Sequence, residues 1–385
     1  QVGLEKIKHE SLIANLSGGQ KTRIAFARIL LQNPTALFLD EPTNHLDTQG
    51  LLWLEEFLEQ FKGIVLIISH DRKLLDTSVD KILEIDPANH SFIEYCGGYS
   101  FYKEEKKHRL EIQEDAYTLQ QKKKEHMENW LALKREEARV HPDPAKGKQI
   151  RAMEKRLERE IYSQEILKPR EDGAIRGMEL TGSTHLAKLI TRCTDIAKSF
   201  GEKIVLSKIN FEIRGTDRVL LTGENGSGKT TLLKIIAKEI NPDTGEVKIG
   251  EKVKIGYFAQ EHEYLDPHKT VLNEFASTDR LLSSEKDPRT ILGSFHFHGQ
   301  DVFKKVCDLS AGERVRLIFA KLTNQENEFL ILDEPTNHLD IASREIIEDA
   351  LIKYEGAILA VSHDRYFIER IGFGKAINLV RGVVK

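Results

Sequence analysis

The octapeptide Asp-Glu-Pro-Thr-Asn-His-Leu-Asp occurs twice in this chain, at Asp40–Asp47 and at Asp333–Asp340. Each copy follows an apolar run, Ala36-Leu37-Phe38-Leu39 in the first and Leu330-Ile331-Leu332 in the second. A second apolar run comes next in each copy and closes on Ser-His-Asp-Arg, at Ser69–Arg72 and at Ser362–Arg365. Leu16 and Leu309, Asp40 and Asp333, and His70 and His363 are each 293 positions apart, so no gap opens over the shared span. Short apolar runs of this length, bounded by polar turns, read as buried strands. The repeat therefore demands two copies of one α/β unit, each with a pair of carboxylates at a strand end.

One stretch belongs to the second copy alone. Gly223-Glu224-Asn225-Gly226-Ser227-Gly228-Lys229-Thr230 follows the apolar run Val219-Leu220-Leu221 and leads into Thr231-Leu232-Leu233-Lys234-Ile235-Ile236. It reads as strand, glycine loop, helix. Glycines let successive backbone N–H groups turn toward one anion, and the helix N-terminus adds its dipole. Lys229 is then expected at the β- and γ-phosphates of a nucleotide and Thr230 at Mg²⁺. This loop lies 110 positions before Asp333, whereas only 39 residues precede Asp40. The first copy is accordingly expected to begin midway through its domain, and a first residue of Gln rather than Met fits that expectation.

Asn15-Leu16-Ser17-Gly18-Gly19-Gln20 precedes an expected amphipathic helix from about Lys21 to Leu31, with Ile24, Ala27, Arg28 and Leu31 at helical spacing. Its counterpart is Leu309-Ser310-Ala311-Gly312-Glu313. A hydroxyl and glycine N–H groups at a helix start suit a phosphate held by another part of the protein. Between the copies, residues 99 to 141 contain no glycine or proline and are dense in Lys, Glu and Gln, which predicts one long helix. The run Pro142–Gly147 is expected to break it, and a second helix to fill Lys148–Lys168 with Ile150, Met153, Leu157 and Ile161 as one apolar seam. Met127, Trp130 and Leu131 are the facing surface of the resulting antiparallel hairpin. From Lys134 to Arg159, nine basic and five acidic residues give this hairpin end a charge of +4 in a chain whose net charge is −4.

Composition narrows the classes further. At 385 residues the chain can hold two or three domains. No run approaches the ~18 apolar residues that span a bilayer, and no signal peptide is visible, so a cytoplasmic protein without membrane contact is expected. Cys96, Cys193 and Cys307 are far apart, which argues against a disulfide framework or a zinc site.

The phosphate loop, the Ser-Gly-Gly-Gln loop, the Asp-Glu strand end and the strand-end histidine together resemble ATP-binding-cassette ATPases. The twin octapeptides around a charged linker are similar to the ABC-F subfamily in particular. The resemblance implies an α/β fold: tandem P-loop nucleotide-binding cassettes, the first one partial, joined by a long α-helical hairpin. The domains become residues 1–98, the C-terminal part of the first cassette; 99–187, the linker; and 188–385, the complete second cassette. It implies ATP and Mg²⁺ as cofactors and ATP hydrolysis as activity. Carried over by residue, Gly223, Asn225, Gly226, Ser227, Gly228, Lys229, Thr230 and Thr231 hold nucleotide, with Phe200 stacked on adenine. Thr230, Asp333 and Gln260 serve the metal, Glu334 polarises the attacking water, and His363 contacts the γ-phosphate. Glu41 and His70 are the first-cassette equivalents. Cassettes of this kind pair within one molecule, so Ser17, Gly18, Gly19 and Gln20 are expected to complete the second cassette's nucleotide site. Ser310 and Gly312 belong to the other site, where Ala311 and Glu313 depart from the commonest pattern. Members of the subfamily act on the ribosome, the linker reaching toward P-site tRNA and the peptidyl-transferase centre. This implies rRNA and tRNA contacts through Lys134–Arg159, in translation regulation or in antibiotic resistance by ribosome protection. Two other readings are an ATP-binding subunit of a transporter and a weakly hydrolytic ATP-gated scaffold.

Overall fold

The computed structural model describes residues 18–43, 46, 48–86, 90–141, 143–164, 166, 180, 185–259, 265–277, 287–337, 339–380 and 382–384. The chain divides into two compact units, residues 1–78 with 173–385, and residues 79–172.

In the larger unit, the second copy is built on a six-stranded sheet in the order β13-β12-β7-β11-β10-β9. Its strands are β7 (Arg218–Thr222), β9 (Ile255–Phe258), β10 (Phe329–Asp333), β11 (Ala357–Val361), β12 (Lys375–Val380) and β13 (Val383–Val384). All neighbours pair in parallel except β12 with β13. Alternate residues of β10 and β11 serve two cores. Phe329, Ile331, Ala357 and Leu359 pack with β5 (Leu189–Phe200), β6 (Lys203–Arg214) and α6 (Lys229–Ile236). Leu330, Leu332, Ile358 and Ala360 pack with α9 (Ala311–Thr323) and α10 (Ile341–Lys353). A parallel sheet covered on both faces needs strands that are apolar throughout, which is why these runs show no alternation. A three-stranded antiparallel sheet, β6-β5-β8, is closed by β8 (Thr244–Ile249). The antiparallel β5–β6 pair ends at Arg214, and β7 joins the parallel sheet.

The first copy contributes α1 (Gly18–Leu30), β1 (Ala36–Asp40), α2 (Thr48–Gln60), β2 (Ile64–Ile68) and α3 (Arg72–Thr77). β1 and β2 pair in parallel with Asp40 opposite Ile68, the same register as Asp333 opposite Val361. The inner face of α1 differs from expectation. Phe26 is buried and packs edge-on against Trp53 at 5.5 Å and Phe57 at 6.0 Å, while Leu31 is exposed beyond the helix end. A bulky ring meeting two rings across a helix pair outweighs the smaller Ile24 and Ala27 in choosing the buried side.

The smaller unit holds an antiparallel hairpin of β3 (Ile82–Asp86) and β4 (Ser91–Tyr95), then α4 (Tyr99–Val140) and α5 (Pro144–Glu160). At 1.5 Å per residue, the 42 residues of α4 extend about 63 Å. Met127, Leu131, Leu157 and Ile161 form the buried seam, flanked by Trp130, Ile150 and Met153. The second helix starts earlier than expected. Asp143 accepts a hydrogen bond from the Ala145 N–H at 2.8 Å, and Pro144 occupies the first turn, where its missing N–H costs nothing. Gly147 is carried inside the helix rather than ending one. α5 stops at Glu160, and a short 3₁₀ turn at Tyr162–Gln164 follows.

Candidate functional site

The phosphate loop leaves the C-terminal end of β7 and opens α6. Gly223 has φ +151°, and a Cβ there would lie 2.4 Å from the Leu379 carbonyl oxygen. Gly228, at φ +102°, is the cap of α6, and a Cβ there would press on Leu206 and Val205. Both positions exclude side chains on conformation and on space. Lys229 is the first residue of α6 and is buried, its ammonium donating to the carbonyls of Gly223 at 2.7 Å and Glu224 at 3.1 Å. The loop is therefore wound around its own lysine, whose ammonium is held by two of the loop's carbonyls.

Two neighbouring strands deliver the carboxylates and the histidine. Asp333 ends β10 almost fully buried, and the Thr230 hydroxyl bonds to it. Burial pushes the Asp333 pKa up, opposed by Thr230 and Lys229. Its Oδ2 is buried with no hydrogen-bond partner. An orphaned carboxylate oxygen beside a threonine hydroxyl is a donor set suited to a hard cation such as Mg²⁺, with phosphate and water completing the shell. Glu334 follows at φ +51°, its N–H donating to the Val361 carbonyl at 2.9 Å. Positive φ at a bulky residue is strained, and here it turns the side chain off the strand end. The carboxylate accepts the His363 backbone N–H at 3.3 Å, with the His363 Nε2 3.6 Å away. Burial first, and then the Asp333 charge, push the Glu334 pKa up to about 7.

A cavity of about 590 Å³ gathers these groups. Lys229, Thr230, Asp333, Glu334 and His363 line it, and Phe200 stands exposed at its wall with the Lys198 ammonium 5.6 Å from the ring centre. Asn225, Gly226, Gly228 and Thr231 also border it, while Gly223 and Ser227 complete the loop behind. First-copy residues line the same cavity, among them Glu41 and His70. They repeat the second copy's geometry. Glu41 has φ +42°, the His70 N–H reaches its carboxylate at 3.4 Å, and the His70 Nε2 lies 3.5 Å away.

Gly18, Gly19 and Gln20 form the first turn of α1. Ser17 and Gln260 lie outside the described residues. Ser310 caps α9: its hydroxyl accepts from the Glu313 N–H at 3.2 Å, and the Glu313 carboxylate accepts from the Ser310 N–H at 2.8 Å. Glu313 in this loop is thus one half of a reciprocal cap. Neither Ser310 nor Gly312 borders the cavity.

One wall residue carries no sequence signal. Arg344 donates to the His70 carbonyl at 2.9 Å and stands 3.6 Å from Asp364. The first copy has Leu51 at that position, so the repeat itself hides it.

A family profile described as ABC transporter matches residues 1–44 and 206–337, and a second one, an extension profile with the same description, matches 85–176. The chain is 39% identical over 372 residues to the ATP-binding protein YdiF of Bacillus subtilis (strain 168), covering 96% of this chain and 56% of that protein. It is 36% identical over 367 residues to the energy-dependent translational throttle protein EttA of Escherichia coli (strain K12), covering 94% and 63%. The chain thus spans little more than half the length of these curated relatives. Among solved structures, its fold matches the archaeal ribosome recycling factor aABCE1, crystallised with the ribosomal stalk protein aP1, at a TM-score of 0.62 and 22% identity, covering 98% of this chain and 64% of that one. A structure of RNase-L inhibitor matches at 0.61 and 22%, covering 100% and 66%. The phosphate loop, the repeated Asp-Glu strand ends and the intervening helical pair make this chain a member of the ABC-F subfamily of the ATP-binding-cassette family.

Proposed function

We propose that the chain binds ATP with Mg²⁺ at Gly223–Thr230, hydrolyses it, and uses closure of its two cassette copies to set the helical linker against a ribosome. The observation that carries the hydrolytic part is Glu334, a buried carboxylate held off its strand end beside Asp333, Lys229 and His363 in one cavity. Lys229 and the loop N–H groups neutralise the terminal phosphates, and Phe200 offers a face to the base. Thr230 and Asp333 would hold Mg²⁺, whose charge supports that spreading over the phosphoryl oxygens. Glu334, with its proton affinity raised into the neutral range, orients a water and takes its proton. His363, beside Glu334, is the residue assigned to the γ-phosphate.

The ribosomal part rests on the linker and on kinship with a protein named as a translational throttle. Among the described residues no helix is long and apolar enough to cross a membrane. Lys134 pairs with Glu137 at 2.7 Å, Arg135 with Glu154 at 2.5 Å, and Arg156 with Glu160 at 2.9 Å. Arg139, Lys148, Arg151 and Lys155 are exposed, with no ion pair among the described residues, and suit RNA phosphates. The finer reading is that this end of the linker approaches P-site tRNA and the peptidyl-transferase centre, in translation regulation or in protection against an antibiotic.

Glu334→Gln together with Glu41→Gln is expected to retain ATP and co-sediment with ribosomes at physiological salt. Its presence in the ribosome-free fraction would end the ribosomal reading. Reversing Lys146, Lys148 and Arg151 to Glu is expected to weaken this binding and to reduce its salt slope by about 1 per lost phosphate contact, with basal ATP turnover unchanged.

A further inference from the structure

Arg72 and Arg365 occupy equivalent positions, immediately after the Ser-His-Asp of each copy, and Glu55 and Glu348 are likewise 293 positions apart. The structure pairs them crosswise. The Arg72 Nη1 donates to Glu348 Oε2 at 3.0 Å while Nη2 bonds Oε1. The Arg365 Nη1 donates to Glu55 Oε2 at 3.1 Å while Nη2 again bonds Oε1. Both are two-pronged guanidinium–carboxylate contacts, the arrangement that fixes orientation as well as proximity. A contact between the copies that recurs with the copies exchanged is the mark of a twofold interface. Here the twofold relates the two halves of one chain.

The two clamps are not equal. The side chains of Arg72 and Glu348 are both 0% exposed. Arg72 also lies 3.5 Å from Asp364 and over the Tyr366 ring at 4.2 Å, and Glu348 accepts from Arg370 at 2.8 Å. The Arg365–Glu55 pair is 21% and 12% exposed, and Thr77 stands in the place of Arg370, 3.5 Å from Glu55. Each arginine is two residues from its strand-end histidine. The intervening aspartates, Asp71 and Asp364, cap α3 and α11 (Arg365–Ile371). A guanidinium buried against the opposite copy loses its partner when the copies separate, and in doing so pulls on the loop that holds the histidine. Stripping one member from a desolvated pair leaves an uncompensated charge, so the pairing favours one register of the two copies strongly.

We propose that Arg72–Glu348 and Arg365–Glu55 are reciprocal clamps that set the register of the two copies and tie it to the positions of His70 and His363. Arg72, Arg365, Glu55 and Glu348 are positioning residues. The clamps themselves are independent of nucleotide; their effect on turnover rests on the ATPase reading above.

The test uses the full chain with Cys96 and Cys307 replaced by Ser, and spin labels at Gln60→Cys and Lys353→Cys, equivalent exposed positions at the ends of α2 and α10. The distance distribution between labels is measured without nucleotide and with ATP and Mg²⁺. Glu55→Arg or Arg365→Glu alone is expected to reduce the population at the parent distance about tenfold, and the double reversal to restore it within about twofold. Reversals at Arg72 and Glu348 are expected to act more strongly, and the less buried Arg365–Glu55 pair decides the matter if the Arg72 and Glu348 variants fail to fold. Single reversals that leave the distribution unchanged, or a double reversal no better than the singles, would overturn the clamps. A parent chain that closes without turning over ATP would instead defeat the activity and leave the clamps standing.

Discussion

The two copies share an octapeptide, a strand register and a Glu–His geometry that agrees within about 0.1 Å, yet their sheets are buried very differently. In the second copy Ile331 and Ala357 are each 0% exposed, covered by β5, β6, β7 and α6. Their equivalents in the first copy, Phe38 and Ile64, are 78% and 75% exposed. The opposite face of the first sheet is closed normally, since Leu37 and Leu39 pack under Phe26, Leu54 and Leu58. Among the described residues, the layer that carries the phosphate loop packs on the second copy's strands and not on the first copy's. Burial of a whole strand therefore depends on elements contributed from elsewhere, while the local Asp-Glu-to-histidine geometry does not. The backbone turn at Glu41 and Glu334 forms in both settings.

Hydrolysis sharpens the contrast most. Glu334→Gln is expected to lower ATP turnover by about 10²–10⁴-fold, the range for removing a general base, because its carboxylate adjoins Asp333 and feels the charge of Lys229. Glu41→Gln is expected to cost far less, since the Thr230 hydroxyl at the end of the loop bonds to Asp333, the neighbour of Glu334. Equal losses from both substitutions, measured as phosphate release under saturating ATP, would erase the distinction.

Stability gives the next largest effect. Ile331→Ala removes a buried branched side chain from the core under β5, β6 and α6 and should cost about 2–5 kcal/mol in denaturant unfolding. Phe38→Ala, at a ring that is exposed among the described residues, should change stability by less than about 0.5 kcal/mol. A large loss at Phe38 in the isolated chain would mean that this face is covered in solution.

Much of the site is legible in the amino-acid sequence because its chemistry restricts identity. Only glycine suits Gly223 and Gly228, and Lys229, Asp333, Glu334 and His363 sit where charge must be managed. The repeat supplied a second reading of the same signals. What escaped are features decided by packing across long separations. Arg72 meets Glu348 from 276 residues away, and nothing local to either residue announces the pair. Arg344 is masked by its Leu51 equivalent. The buried side of α1 turned on Phe26 meeting two aromatic rings of α2, and the start of α5 on Pro144 fitting the first turn instead of breaking it. Positive φ at Glu41 and Glu334 has no composition signature at all, since glutamate is an unusual residue for that region.

The smallest expected effect is the dependence of folding on pH. The Glu334 carboxyl, ordinarily near 4.5, is pushed up to about 7 in the nucleotide-free fold. Between these values the folded chain holds a proton that the unfolded chain has released. Its contribution to stability is therefore complete below about 4.5 and is lost as pH rises through about 7. The 2.5-unit gap sets a ceiling of roughly 3 kcal/mol, and local relaxation with water entry brings the realised effect to about 1–2 kcal/mol. Glu334→Gln removes the titration, so without nucleotide its stability should gain on the parent's between pH 5 and pH 8. Turnover runs the other way, because the base must be ionised: activity should climb with pH. A stability difference between parent and Glu334→Gln that is the same at both pH values would mean that Glu334 meets water before nucleotide arrives, and that the second copy's site is as open as the first copy's sheet.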